Sequence, residues 1–234
     1  MALRKIELEV PMTLNDIKLH QYQKYMKVIQ QNDDDDEKTN DFLNMKLVEI
    51  FCNVSLKEVT KIPLKEYEKV LVILNKAFEE KPKLIRRFDL LDVPMGFIPN
   101  LDDMSLGEYI DIESNISDWQ KMHKAMSVLY RPVNFTSKEK YGIAPYKPNE
   151  ETQELMKQMP LDVALSSMIF FYALGKDLLA AIPKYLEKSL SKQDMQMLEA
   201  HLEKSGDGIN QFMHSLKEMS STSTKLPTYH FTSV

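Results

Sequence analysis

Between Gly96 and Pro132 specific structural punctuation interrupts a chain that otherwise reads as generic helix, and that stretch limits what the remainder can fold into. Gly96-Phe97-Ile98-Pro99-Asn100-Leu101-Asp102-Asp103-Met104 leads to Ser105. With Glu108, Ser105 has the Ser-x-x-Glu spacing that opens a helix by satisfying two of its free backbone N–H groups. The residues then predict a helical run to Pro132, which lacks an N–H and stops it after Arg131. Trp119, Met122, His123, Met126, Leu129 and Tyr130 recur at spacings of three and four, so one face of that run is core or interface. The most apolar segment, Val163 to Leu174, lies between Asp162 and Asp177, is too short to span a membrane and reads as a buried core helix. Trp119, Met122, Met126 and Leu129 are expected to pack against its Val163 to Tyr172 part.

The rest of the chain predicts a mainly α fold. It reads as a multi-helix, bundle-like domain with a small antiparallel β element near the N-terminus. Ile6-Glu7-Leu8-Glu9-Val10 alternates apolar and acidic residues before Pro11, the pattern of a half-buried strand. Phe88 to Leu91 and Met95 to Ile98 read as a hairpin turning at Asp92-Val93-Pro94, with Ile6 to Val10 as its third strand. Thr13 with Asp16 resembles a helix start leading to Gln31, and Asp33 to Asp36 reads as a solvated loop. A second helix runs from Asp41 to Phe51, Ser55 with Glu58 caps a short turn, and Pro63 opens a helix that ends before Lys81-Pro82. Asn134 to Asn149 has no periodicity and reads as a loop or arm. Glu151 to Met159 and Leu161 to Leu190 read as helical, joined at Pro160, with two further helices before the Ser/Thr-rich tail. Three regions follow: an N-terminal helical region with the β element (1–100), a Trp/Met-rich helical core region (101–219) and an extended tail (220–234).

With 234 residues, 43% of them hydrophobic, the chain can bury a core as one large domain or two small packed ones. Six glycines leave little material for a phosphate-cradling loop. A net charge of -5 gives no electrostatic footprint for nucleic acid. Cys52 is alone, so no disulfide within the chain is expected, and the thiol reads as core. The first residues lack a signal-peptide apolar run, and a soluble protein is expected.

Little of the chemistry-bearing material sits in a catalytic pattern. His20, His123, His201, His214 and His230 have no metal-ligand spacing, so neither metal nor cofactor is expected. His123 reads as a core or network histidine. Asp102, Asp103, Glu108, Asp111 and Glu113 could supply paired carboxylates, yet acids around a helix start are what the helix dipole favours. Met122, Met126, Met156, Met159 and Met168 read as deformable core filling or, alternatively, as an adaptable surface for partner helices. The candidate partner-contact residues are Leu226, Tyr229 and Phe231, anchors in a segment rich in Ser and Thr, with Tyr141 and Tyr146 in the expected arm.

Two blocks carry a family resemblance. Thr13-Leu14 with Tyr22-Gln23-Lys24-Tyr25 and Ile50 to Val59 resembles the N-terminal half of tail assembly chaperones and related morphogenesis proteins of tailed bacteriophages. Phe97 to Asp111, Asp118-Trp119, Met122 to Met126, Leu129 to Pro132 and Met159 to Ala164 look like virion or tail-region proteins of phages. The resemblance implies a non-enzymatic bacteriophage virion structural or assembly protein, a tail, neck or internal component. It implies contacts with other phage structural proteins in a homo-oligomeric or ring-like assembly, without membrane or direct nucleic-acid partners. It places the protein in the host bacterial cytoplasm during assembly and in the virion afterwards. The alternative it implies is a tail assembly chaperone that binds a hydrophobic tail protein and is absent from the mature virion; an enzyme with a site assembled wholly by the fold is a minor rival.

Overall fold

The computed structural model describes residues 8–32, 37–138 and 140–173. The chain enters through a one-turn helix, Leu14–Asp16, where the Asp16 carboxylate accepts from the backbone N–H groups of Met12 (3.1 Å) and Thr13 (3.0 Å). The predicted start is therefore real, but the long helix begins later. Ile17 and Lys18 are extended and form a short bridge to the 159–161 segment, with Leu19 N–H donating to Met159 O at 2.9 Å and Leu161 N–H to Ile17 O at 2.8 Å. Helix α1 (Leu19–Gln31) then packs on α2 (Glu37–Phe51), which ends at Asn53 with a positive φ that asparagine tolerates. The Ser55–Glu58 box opens α3 (Leu56–Val59), and Pro63 precedes α4 (Leu64–Phe78).

The sheet lies in mid-chain, which corrects the N-terminal placement. Strands β1 (Arg87–Leu90), β2 (Val93–Phe97), β3 (Tyr130–Ser137) and β4 (Lys140–Ile143) pair antiparallel in that order. The β1–β2 hairpin is present, but it turns at Leu91-Asp92, both with positive φ, the primed geometry that matches strand twist. Pro94 falls inside β2, beyond the Met95–Phe97 stretch that pairs with β3, so its missing N–H costs that ladder nothing. Leu8 and Val10 rest against the core as their alternation predicts, but residues 8–10 are not a strand, and Ile6 and Glu7 lie outside the described residues. β3 takes the third place, following the helix before it without a connecting loop.

Two further expectations are corrected in the second half. The helical run from Ser105 divides into α5 (Leu106–Ile116), a single turn at Trp119–Lys121 capped by Asp118, and α6 (Met122–Leu129). The stop is at Leu129; Pro132 lies within β3, paired with Met95. Asn134 to Asn149, expected as a loop or arm, contains most of the β3–β4 hairpin, bent by a bulge between Val133 and Phe135. After α7 (Glu150–Leu155) and a single turn, a last helix, α8, is described over residues 161–173.

One hydrophobic cluster joins these elements, from Leu14 to Met168. Trp119, Met122, Met126 and Leu129 are buried in it, as are Val163, Ala164 and Leu165 of α8. The ring partner of Trp119 is Tyr22 of α1, edge-on at 4.7 Å, and Tyr22 continues through Phe78 to Phe51 and Tyr25. Met122, Met126, Met156, Met159 and Met168 are fully buried, so these methionines fill the core.

Candidate partner-contact surface

Tyr141 and Tyr146 are placed by the outer side of the sheet. Met95 and Phe97 turn inward, so Gly96 between them faces out, and a Cβ there would stand 2.6 Å from Tyr141 Cε2 and 3.0 Å from Ile143 Cγ2. The absent side chain lets β4 lie directly over β2. Tyr141 donates its hydroxyl to Phe97 O at 2.8 Å, and the Arg87 guanidinium sits 5.6 Å from its ring. Gly96→Ala should cost about 1–3 kcal/mol through overpacking, read as a lowered urea midpoint, and Tyr141→Ala in the same chain should recover part of the loss. An unchanged midpoint for Gly96→Ala would show that the hairpin is not held in this position.

Tyr146 closes a second link. Its hydroxyl donates to Asp111 Oδ2 at 2.6 Å, its ring lies 6.0 Å from the Arg131 guanidinium, and Arg131 pairs with Glu108 at 2.8 Å. Burial, and then the Asp111 carboxylate, push the Tyr146 hydroxyl above its ordinary range. Burial also acts upward on Glu108, but the Ser105 hydrogen bonds and the Arg131 charge outweigh it and hold the carboxyl below its usual value. Glu108 thus caps α5 and clamps it to β3. Sequence reading found the cap and missed the clamp, since Arg131 lies 23 positions away with no local signal.

His123 is a buried network residue. Gln23 Nε2 lies 3.1 Å from its Nδ1 and donates to Trp119 O at 2.7 Å, while Glu154 Oε1 stands 3.6 Å from Nε2. Burial lowers its pKa, helped by the Lys157 and Lys124 charges and opposed by Glu154. Unfolded chains therefore bind a proton that the folded state resists. Stability should fall as pH drops through the unfolded imidazole value of about 6.5 and level off below the folded one. Melting temperatures between pH ~7.5 and ~5.5 should show this fall, and His123→Gln should flatten it; an equal slope in the variant would assign the effect to other groups.

Three further polar groups are engaged locally: Tyr130, Asp16 and Gln21. Tyr130 donates its hydroxyl to Ile85 O at 2.7 Å and lies 2.7 Å from Ser167 Oγ, tying β3 to α8. A groove of about 390 Å³ beside residues 9–11 is lined by Asp16, Gln21 and Cys52, but Asp16 caps the first turn and Gln21 donates to Ile50 O. Burial raises the Cys52 thiol to about 11, so it stays protonated and unreactive at neutral pH. Among the described residues no group of three or more His, Cys, Asp and Glu side chains is placed to hold a metal, and no helix is long and apolar enough to cross a membrane.

Exposed apolar side chains among the described residues include Met12, Leu64, Val72, Leu91, Val93, Phe135 and Leu155, and three more share one face of α5. Ile112 and Ile116 form its buried stripe, whereas Leu106 (75% exposed), Tyr109 and Ile110 form a second stripe facing outward, bordered by exposed Asp102, Asp103 and Glu113. These three apolar residues stand at positions i, i+3 and i+4, a pattern legible in the sequence but not singled out there. Leu226, Tyr229 and Phe231 lie outside the described residues. No family model, curated protein or solved structure matches this chain.

Proposed function

We propose that this protein is a non-enzymatic bacteriophage virion structural or assembly component that works through protein-protein contacts. The observation that carries this reading is the outward apolar stripe of α5, rimmed by acids, on a domain whose best candidates for acid-base chemistry are committed to structural links. Glu108 clamps a strand, Asp111 holds a tyrosine, and His123 bridges helices. The resemblance of the Thr13 to Val59 and Phe97 to Ala164 blocks to phage morphogenesis proteins supplies the biological setting. In that setting the protein is made in the host bacterial cytoplasm and joins other phage structural proteins in the particle.

A mass-spectrometric inventory of purified virions and of infected-cell lysate tests the reading. Abundant peptides in virions support a structural component. Peptides in lysate but absent from virions support the transient chaperone role instead. Peptides in neither fraction overturn both.

A further inference from the structure

No lysine or arginine occurs between Arg87 and Lys121, a span that contains the whole of α5 and its approach. Of the acids that face inward there, Glu108 is paired with Arg131, and Asp111 accepts a hydrogen bond from the Tyr146 hydroxyl. Asp102, Asp103 and Glu113 remain exposed beside the Leu106, Tyr109 and Ile110 stripe. The opposite surface stands on neighbouring elements. Residues 81–87 read Lys-Pro-Lys-Leu-Ile-Arg-Arg without an acid, and their four basic residues are exposed. Arg87 lies over Tyr141, adjoining exposed Lys140, and Phe135 of the same hairpin is 56% exposed.

We propose that these two faces meet between copies of this chain, the basic and aromatic 81–87 and hairpin surface of one molecule covering the acidic and apolar α5 stripe of the next. Charge complementarity selects a second copy as occupant, because one chain presents both halves of the match. Arg131 and Tyr146 fix the inner edge of α5 against the sheet side and so turn the apolar stripe outward. Burying that stripe supplies the apolar gain, while the charges set register and partner choice.

The inference rests on the reading of the chain as an assembly protein, yet it is tested in solution without virus. Failure here leaves that reading to the virion inventory. Sedimentation velocity of the full chain over a concentration series should show reversible self-association that weakens with salt. Asp102→Lys with Glu113→Lys, and separately Lys83→Glu with Lys140→Glu, should each weaken association about tenfold or more while leaving the melting temperature unchanged. Ile110→Ser should weaken it without any change of charge. Mixing the two charge-reversed proteins should restore association, because each then carries the complement of the other. A wild-type chain that stays monomeric, variants that associate like wild type, or a mixture that stays apart overturns the proposal. So does a basic-face variant that loses only binding to a single-stranded oligonucleotide, which would make that face a nucleic-acid surface.

Discussion

Replacing Trp119 with alanine should destabilise the protein by about 3–5 kcal/mol, measured as a shift of the urea or thermal midpoint. The indole is 4% exposed and meets Tyr22 edge-on, and Tyr22 passes the contact on to Phe78, Phe51 and Tyr25. Removal would leave a cavity where α1, α4 and the 119–129 segment share one core, a site with little freedom to collapse. Trp119 Nε1 is buried without a hydrogen-bond partner among the described residues. Trp119→Phe therefore gives up ring area but also removes an unsatisfied donor, and should cost much less than the alanine variant. Equal losses for the two would mean that the ring stack is not what holds this core.

Arg131→Met should cost about 3–5 kcal/mol, because it strands the Glu108 carboxylate in a buried position. The two side chains are 12% and 9% exposed, and Arg131 is the cation within contact of that carboxylate. Glu108 is held below its usual pKa, so its contribution is present above the unfolded value of about 4.3 and is lost as pH falls through the folded one. The gap between wild type and variant should thus narrow on acidification through that window. Glu108→Gln in the Arg131→Met background should recover most of the loss, since glutamine can keep the capping bond to Ser105 without the charge. A double variant no better than the single one would locate the cost in the lost packing of the Arg131 stem against Tyr146.

The same pair marks how far the candidate surface could be read from the chain. Ser105 and Glu108 stand three residues apart, and that spacing is enough to announce a helix start. The reach of Glu108 to Arg131, of Tyr146 to Asp111 and of Tyr141 to Phe97 depends on how separate elements come together. Tyr141 and Tyr146 read as outward anchors because an aperiodic stretch with prolines offers no local place for them. Their hydroxyls are bonded 44 and 35 positions away, links that no local pattern announces.

By itself the sequence determined what acts over a turn or two of backbone: the boxes at Thr13–Asp16, Ser55–Glu58 and Ser105–Glu108, the start of α4 after Pro63, and the apolar faces around Trp119 and Val163. Such signals are local because the capping side chain and its target N–H are near neighbours. The β1–β2 hairpin was legible too, but only the tertiary structure decided which strands extend it into a sheet. Leu8 and Val10 alternate correctly and stay unpaired, while Pro132, a helix stop by local rules, sits in a strand because Met95 of β2 is available across from it. Strand pairing depends on a partner that no single segment contains.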